Sequence, residues 1–157
     1  MGLDMYLKTN SRDLARFVAE TCVTNGIYEK DSFEYKMCRQ NGVLKYWCKC
    51  NPIHGWMVEN IQCGKDDCGT YELTRHDLRK LYLLLREALD TYDTSVLPCS
   101  SGFFFGDKEY TDYLWHCLED TEVVLREILF TTYTQNGTDH FAEDSEWNCI
   151  FTYTSSW

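Results

Sequence analysis

The sequence predicts an α+β fold: a single compact domain over residues 1–157, with a mixed or antiparallel sheet of about four to five strands and about four helices. Three observations predict it. The length of 157 residues suits one domain, and no Ser/Gly tract resembles a linker. Hydrophobic residues make up 44% of the chain and aromatics 15%, enough to fill a core. Apolar periods of two and of 3.6 alternate along the chain without a regular βαβ repeat.

Leu3, Met5 and Leu7 alternate with polar neighbours and predict a first strand. Asn10-Ser11 caps a helix with Leu14, Phe17, Val18, Thr21 and Cys22 on one face, and Gly26 follows its end. Residues 26–42 have no sustained period and read as loop with, at most, a short helical turn. Val43 to Lys49 is rich in strand formers. Asn51-Pro52 then reads as N-cap and first helical position, opening a helix with Ile53, Trp56, Met57, Asn60 and Ile61 inward and Gly64 as its stop.

Gly69 to Leu73 predicts a strand, and Thr74-Arg75-His76-Asp77 a capping box with Asp in place of Glu. The helix that follows presents Leu78, Leu81, Tyr82, Leu85, Ala88 and Leu89. Gly102-Phe103-Phe104-Phe105-Gly106 reads as buried strand or tight loop. Asp107 caps a long helix with Tyr110, Tyr113, Leu114, Cys117, Leu118, Thr121, Leu125, Ile128 and Leu129 inward. A polar loop leads to a last strand in which Trp147, Cys149, Phe151 and Tyr153 alternate.

The net charge is −10, unevenly spread. Residues 1–106 carry 13 basic and 14 acidic side chains; residues 107–147 carry 2 and 11. Such a field repels nucleic acid and membrane surfaces and attracts basic partners. On the predicted last helix it places Glu109, Asp112, Glu119 and Glu122 outward, as a candidate partner-binding face. No apolar run is long enough to span a bilayer, and the first residues lack the pattern of a secretory signal. Asn136-Gly137-Thr138 matches a glycosylation sequon, which carries no weight without export. Nine cysteines, an odd number, then read as reduced and mostly buried in a cytoplasmic protein.

Two constellations have metal-ligand chemistry. Cys48-x-Cys50 with Cys63 and Cys68 offers four thiols at a spacing unlike a zinc finger. Asp112, His116 and Glu119 share one helical face, where a solvated polar surface is the simpler reading. No metal or other cofactor is expected. Signature motifs of hydrolases, phosphate loops and zinc proteases are missing. The densest polar cluster is Asn51, His54, Trp56, Asn60 and Asp66-Asp67, with Arg75 and His76 at the next helix start; Asn51, His54, Trp56, Asp67 and Arg75 are the candidate ligand-binding residues. Two neighbouring helix starts with an arginine form a candidate nucleotide or phosphate pocket. Against it stands a structural reading: Asn51 caps, His54 bonds in the core, Trp56 packs and Arg75 is solvated.

Gly2-Leu3-Asp4-Met5-Tyr6-Leu7, Tyr46-Trp47, Asn51-x-Ile53-His54-x-Trp56 and Val58-x-Asn60 form a distinctive series. It continues through Asp67-Cys68-Gly69-x-Tyr71, the glycine-bracketed phenylalanines with Tyr110, and Ser155-Ser156-Trp157. In this order the chain resembles a family of small, functionally uncharacterised phage and prophage proteins. It departs from that pattern at Cys48 and Cys50, where a basic and a small residue are expected. The resemblance implies a phage accessory protein in the cytoplasm of the bacterial host, with an anti-defence role. The expected function is therefore inhibition, by binding a host defence protein with a basic surface or by sequestering a signalling nucleotide. The alternative is a small hydrolase of a phosphorylated or nucleotide substrate, with His54 and Asp67 as acid and base.

Overall fold

The computed structural model describes residues 2–102, 104–130, 132–135, 137–141 and 149–157. Strands β1 (Asp4–Thr9), β2 (Val43–Cys48), β3 (Thr70–Leu73) and β6 (Phe151–Ser156) form an antiparallel sheet in the order β2-β1-β6-β3. The fold is α+β, as the mixed periods predict. Register puts Met5 opposite Trp47 and Leu7 opposite Tyr153, so these side chains with Phe151 make one buried face. The alternate positions, Asp4, Tyr6, Lys8, Tyr46, Thr152 and Thr154, are half-buried on the other face.

Helices α1 (Arg12–Thr24), α4 (Arg75–Thr91) and α5 (Asp112–Phe130) contribute their apolar stripes to the same core. Ser11 caps α1 by accepting from Leu14 N. Thr74 and Asp77 close the reciprocal capping box on α4. Polar bonds fix α5 to the sheet and to the start of α4: Trp47 Nε1 donates to Thr121 Oγ1 at 2.7 Å, and Arg75 donates to the Ile128 carbonyl at 2.7 Å.

Several elements differ from expectation. Helix α2 (Phe33–Asn41) occupies the stretch read as loop. It buries only Tyr35 and Cys38, too little for a visible stripe, although Ser32 and Gly42 cap it conventionally. Asn51 does not cap α3 (Asn51–Asn60); Cys50 stands at the cap and Asn51 is the first helical residue. That helix ends before Gly64, and Asn60 is exposed. Helix α5 starts five residues after Asp107, with Thr111 Oγ1 accepting from Leu114 N, so Tyr110 precedes it, and Tyr113 is exposed.

Strands β4 (Thr132–Gln135) and β5 (Thr138–Phe141) pair as a hairpin in the expected polar loop. Gln135 pairs with Thr138 at its end. Phe104 and Phe105 lie half-buried in a turn, not a strand. Phe103, Trp147 and the acidic residues 143, 144 and 146 lie outside the described residues.

Candidate functional site

His54 sits in the second turn of α3 and is fully buried. Its Nδ1 lies 2.7 Å from the Tyr153 hydroxyl and its Nε2 lies 3.1 Å from Asp66 Oδ2. Burial, and then the Asp66 charge, push the Tyr153 phenol well above its ordinary value, so the hydroxyl stays a donor. With Tyr153 donating to Nδ1 and Nε2–H donating to Asp66, all three groups are satisfied. The second Asp66 oxygen accepts from Trp157 Nε1 at 3.1 Å. Phe105 packs its edge against the imidazole, with ring centres 4.8 Å apart, and Phe104 stacks on the Trp157 indole. One carboxylate thus joins α3, the turn after it and the end of β6.

Asn51, also fully buried, acts as a clamp. Its amide donates to the Phe105 and Asp107 carbonyls at 3.1 and 2.6 Å, and its oxygen accepts from Ser100 N at 3.1 Å. Gly55, one turn on, makes room for this loop, since a Cβ there would meet Ser100 Oγ at 1.8 Å.

The expected pocket is not assembled from these residues. Arg75 is directed to the Ile128 carbonyl in the last turn of α5, with its guanidinium 5.2 Å from the Phe151 ring centre. Asp67 is exposed and turns to Tyr71 and Gly69 N. Those bonds, Tyr71 first, hold its carboxyl below the usual range. The carboxylate beside His54 is Asp66, so His54 and Asp67 do not form an acid–base pair. Trp56 is buried and borders a separate groove of about 450 Å³ with Pro52, Glu59, Leu97 and Cys99.

No family model matches the chain, and no curated protein or solved structure is similar to it. Function must therefore be argued from the molecule's own surfaces. On α5, Asp112 and Glu119 are exposed, as is Glu109 just before the helix. Glu122 is a correction: only 5% exposed, it turns inward between Arg86 and Arg126, at 3.7 and 3.5 Å. Asp120 approaches the largely buried Lys45 at 3.9 Å, and His116 pairs with Glu119 at 2.9 Å.

All nine cysteines are free thiols; only Cys22, Cys38 and Cys50 are buried, fewer than expected, and Cys63 and Cys68 are exposed. Among the described residues no group of three or more His, Cys, Asp and Glu is arranged to hold a metal ion. Neither of the two constellations weighed as ligand sets, the four thiols and the α5 face, forms such a group. Sequence reasoning missed Tyr153 as the partner of His54 and Trp157 as the partner of Asp66, because 99 and 91 residues separate the two bonded pairs.

Proposed function

We propose that this protein is a non-catalytic inhibitor that docks on a basic surface of a host defence protein through the outer face of α5. The observation that carries this reading is the contrast between interior and surface. His54, the acid–base candidate of the expected pocket, is enclosed and bonded to Tyr153, whereas Glu109, Asp112 and Glu119 are exposed carboxylates and Tyr113 is an exposed aromatic on the same helix as the last two. Carboxylates together with an aromatic suit a basic partner, with steering by charge and contact area from the ring. The phage accessory context rests on the sequence resemblance, and sequestration of a nucleotide at His54 and Arg75 is not the favoured mode.

Reversal of two charges, D112K with E119K, tests it. Bead-bound parent and variant protein are challenged with host lysate at low and high salt, and captured proteins are compared by mass spectrometry. A basic host protein retained by the parent, released by salt and lost from the variant is the expected result. The variant should also lose inhibition of the host defence while keeping its melting temperature, since exposed charges contribute about 0–1 kcal/mol per pair. Equal inhibition by both proteins rejects the α5 face.

A further inference from the structure

Two adjoining depressions lie where the start of α1 meets the end of α2. The larger, about 440 Å³, is walled by Arg12, Arg16, Arg39 and Gln40. The smaller, about 190 Å³, shares Arg12, Arg39 and Gln40 and is floored by Thr9, Ser11 and Gly42. Gly42 builds this corner. It ends α2 in the left-handed conformation, φ 71°, and its carbonyl accepts from Thr9 N at 2.9 Å. A Cβ at this position would meet the Thr9 carbonyl oxygen at 2.4 Å. Only glycine lets the last turn of α2 press against the strand end from which α1 departs. Arg39 is thereby set across the groove from Arg12 and Arg16, which are one helical turn apart.

The charges here are unbalanced. Arg39 is held in place by the Tyr35 hydroxyl at 3.1 Å and by Glu20, whose carboxylate is 4.0 Å away. Tyr35 donates to the same carboxylate at 2.6 Å. Among the described residues, neither Arg12 nor Arg16 has a carboxylate within ion-pair distance. Like charges four residues apart disfavour a helix, and a cation in the first turn opposes the helix dipole. Three guanidinium groups thus line one depression, and among the described residues a single carboxylate, that of Glu20 beside Arg39, lies within ion-pair distance of any of them, in a chain of net charge −10. The acidic residue in that first turn, Asp13, is not among those lining either depression.

We infer that this groove binds the phosphate of a small phosphorylated ligand of about nucleotide size. Guanidinium forks match phosphate oxygens in bidentate fashion, and Gln40 adds an uncharged donor at the rim. The volume falls within the range of small-molecule clefts, about 300–1,000 Å³. The acidity of the rest of the chain disfavours an extended polyanion. This site is separate from the α5 face and does not depend on it.

Calorimetric titration with adenosine 5′-monophosphate, inorganic phosphate and adenosine at low salt tests the inference. The monophosphate should bind, phosphate more weakly, and adenosine not measurably. The double variant R12E/R16E should weaken monophosphate binding at least roughly tenfold. R12A/R16A should lose binding with an unchanged or slightly higher melting temperature, because a repulsive pair is removed. Failure of both phosphate and the monophosphate to bind overturns the site. So does binding that the double reversal leaves intact. Tighter binding of a single-stranded oligonucleotide than of the mononucleotide would reassign the groove to nucleic acid.

Discussion

Replacing His54 with Ala should unfold this protein more readily than any surface substitution, and the magnitude follows from what the ring touches. The Tyr153 hydroxyl lies at 0% exposure, so deleting the imidazole strands it, at a cost of about 1–3 kcal/mol. The void left beside Phe105 adds ~1–2 kcal/mol. Asp66 loses a donor too, but its side chain is 25% exposed and keeps Trp157 Nε1, so water can replace what is lost. The sum is about 2–5 kcal/mol, which for a chain of this size lowers the melting temperature by on the order of 10 °C. Thermal and urea unfolding followed by circular dichroism measure it. A cycle with Y153F sharpens the test. The double variant strands nothing, so it should be less destabilised than the two singles combined, by about 1–2 kcal/mol. A H54A protein that melts within ~2 °C of the parent, or a strictly additive cycle, refutes the structural role.

Two further outcomes follow from buried groups. N51A strands the Ser100 amide and two carbonyls, so stability should fall by about 2–4 kcal/mol and Ser100 should lose its protection in hydrogen exchange. N51D should fail similarly, because a carboxylate has nothing to donate to the Phe105 and Asp107 carbonyls; unchanged exchange in both variants would reject the clamp. Alkylation mapped by mass spectrometry should label Cys63 and Cys68 first in the native protein, and Cys22, which burial pushes up to about 12, only after unfolding. The Cys50 thiol, hydrogen-bonded to Cys117, holds the Cys117 thiol down at about 7, so its labelling rate should climb through that pH and level off above it. A folded value below the unfolded one means that Cys117 adds stability above the ordinary thiol range and loses it as pH falls through about 7; a labelling midpoint near 8.5 would reject this pairing.

The elements that were legible in the sequence are those with a wide apolar stripe and local caps. Helix α4 has both, in Leu78, Leu81, Leu85 and Ala88 behind a complete capping box. Strand β1 alternates so strictly that its buried face is readable from Leu3, Met5 and Leu7 alone. Helix α2 lacked the stripe, and its caps alone are too common to identify a helix. The β4–β5 hairpin is signalled by Asn136-Gly137, but the short polar segments on either side of that dipeptide lack an apolar alternation and read as loop. Asp107 has the right residue type for a cap, but its carbonyl is taken by Asn51, and Thr111 caps in its place.

The polar residues were harder to place, for a reason that lies in the partners. A His, an Asn and an Arg near helix starts have the same side-chain chemistry whether they face a ligand or the protein's own backbone. What separates the cases is which partner lies opposite, and here each partner comes from a distant part of the chain: Tyr153 for His54, Ser100, Phe105 and Asp107 for Asn51, and the end of α5 for Arg75. The same logic moved Glu122 inward, since Arg86 on the neighbouring helix neutralises it. Arginines 12, 16 and 39 carry the opposite signature. They converge from two helices, yet among the described residues only Glu20 lies within ion-pair distance of any of them, at Arg39. A fold that satisfies His54 and Asn51 internally and sets Glu122 between two arginines, but leaves the groove between α1 and α2 in cationic excess, concentrates its unmet demand for an anion there.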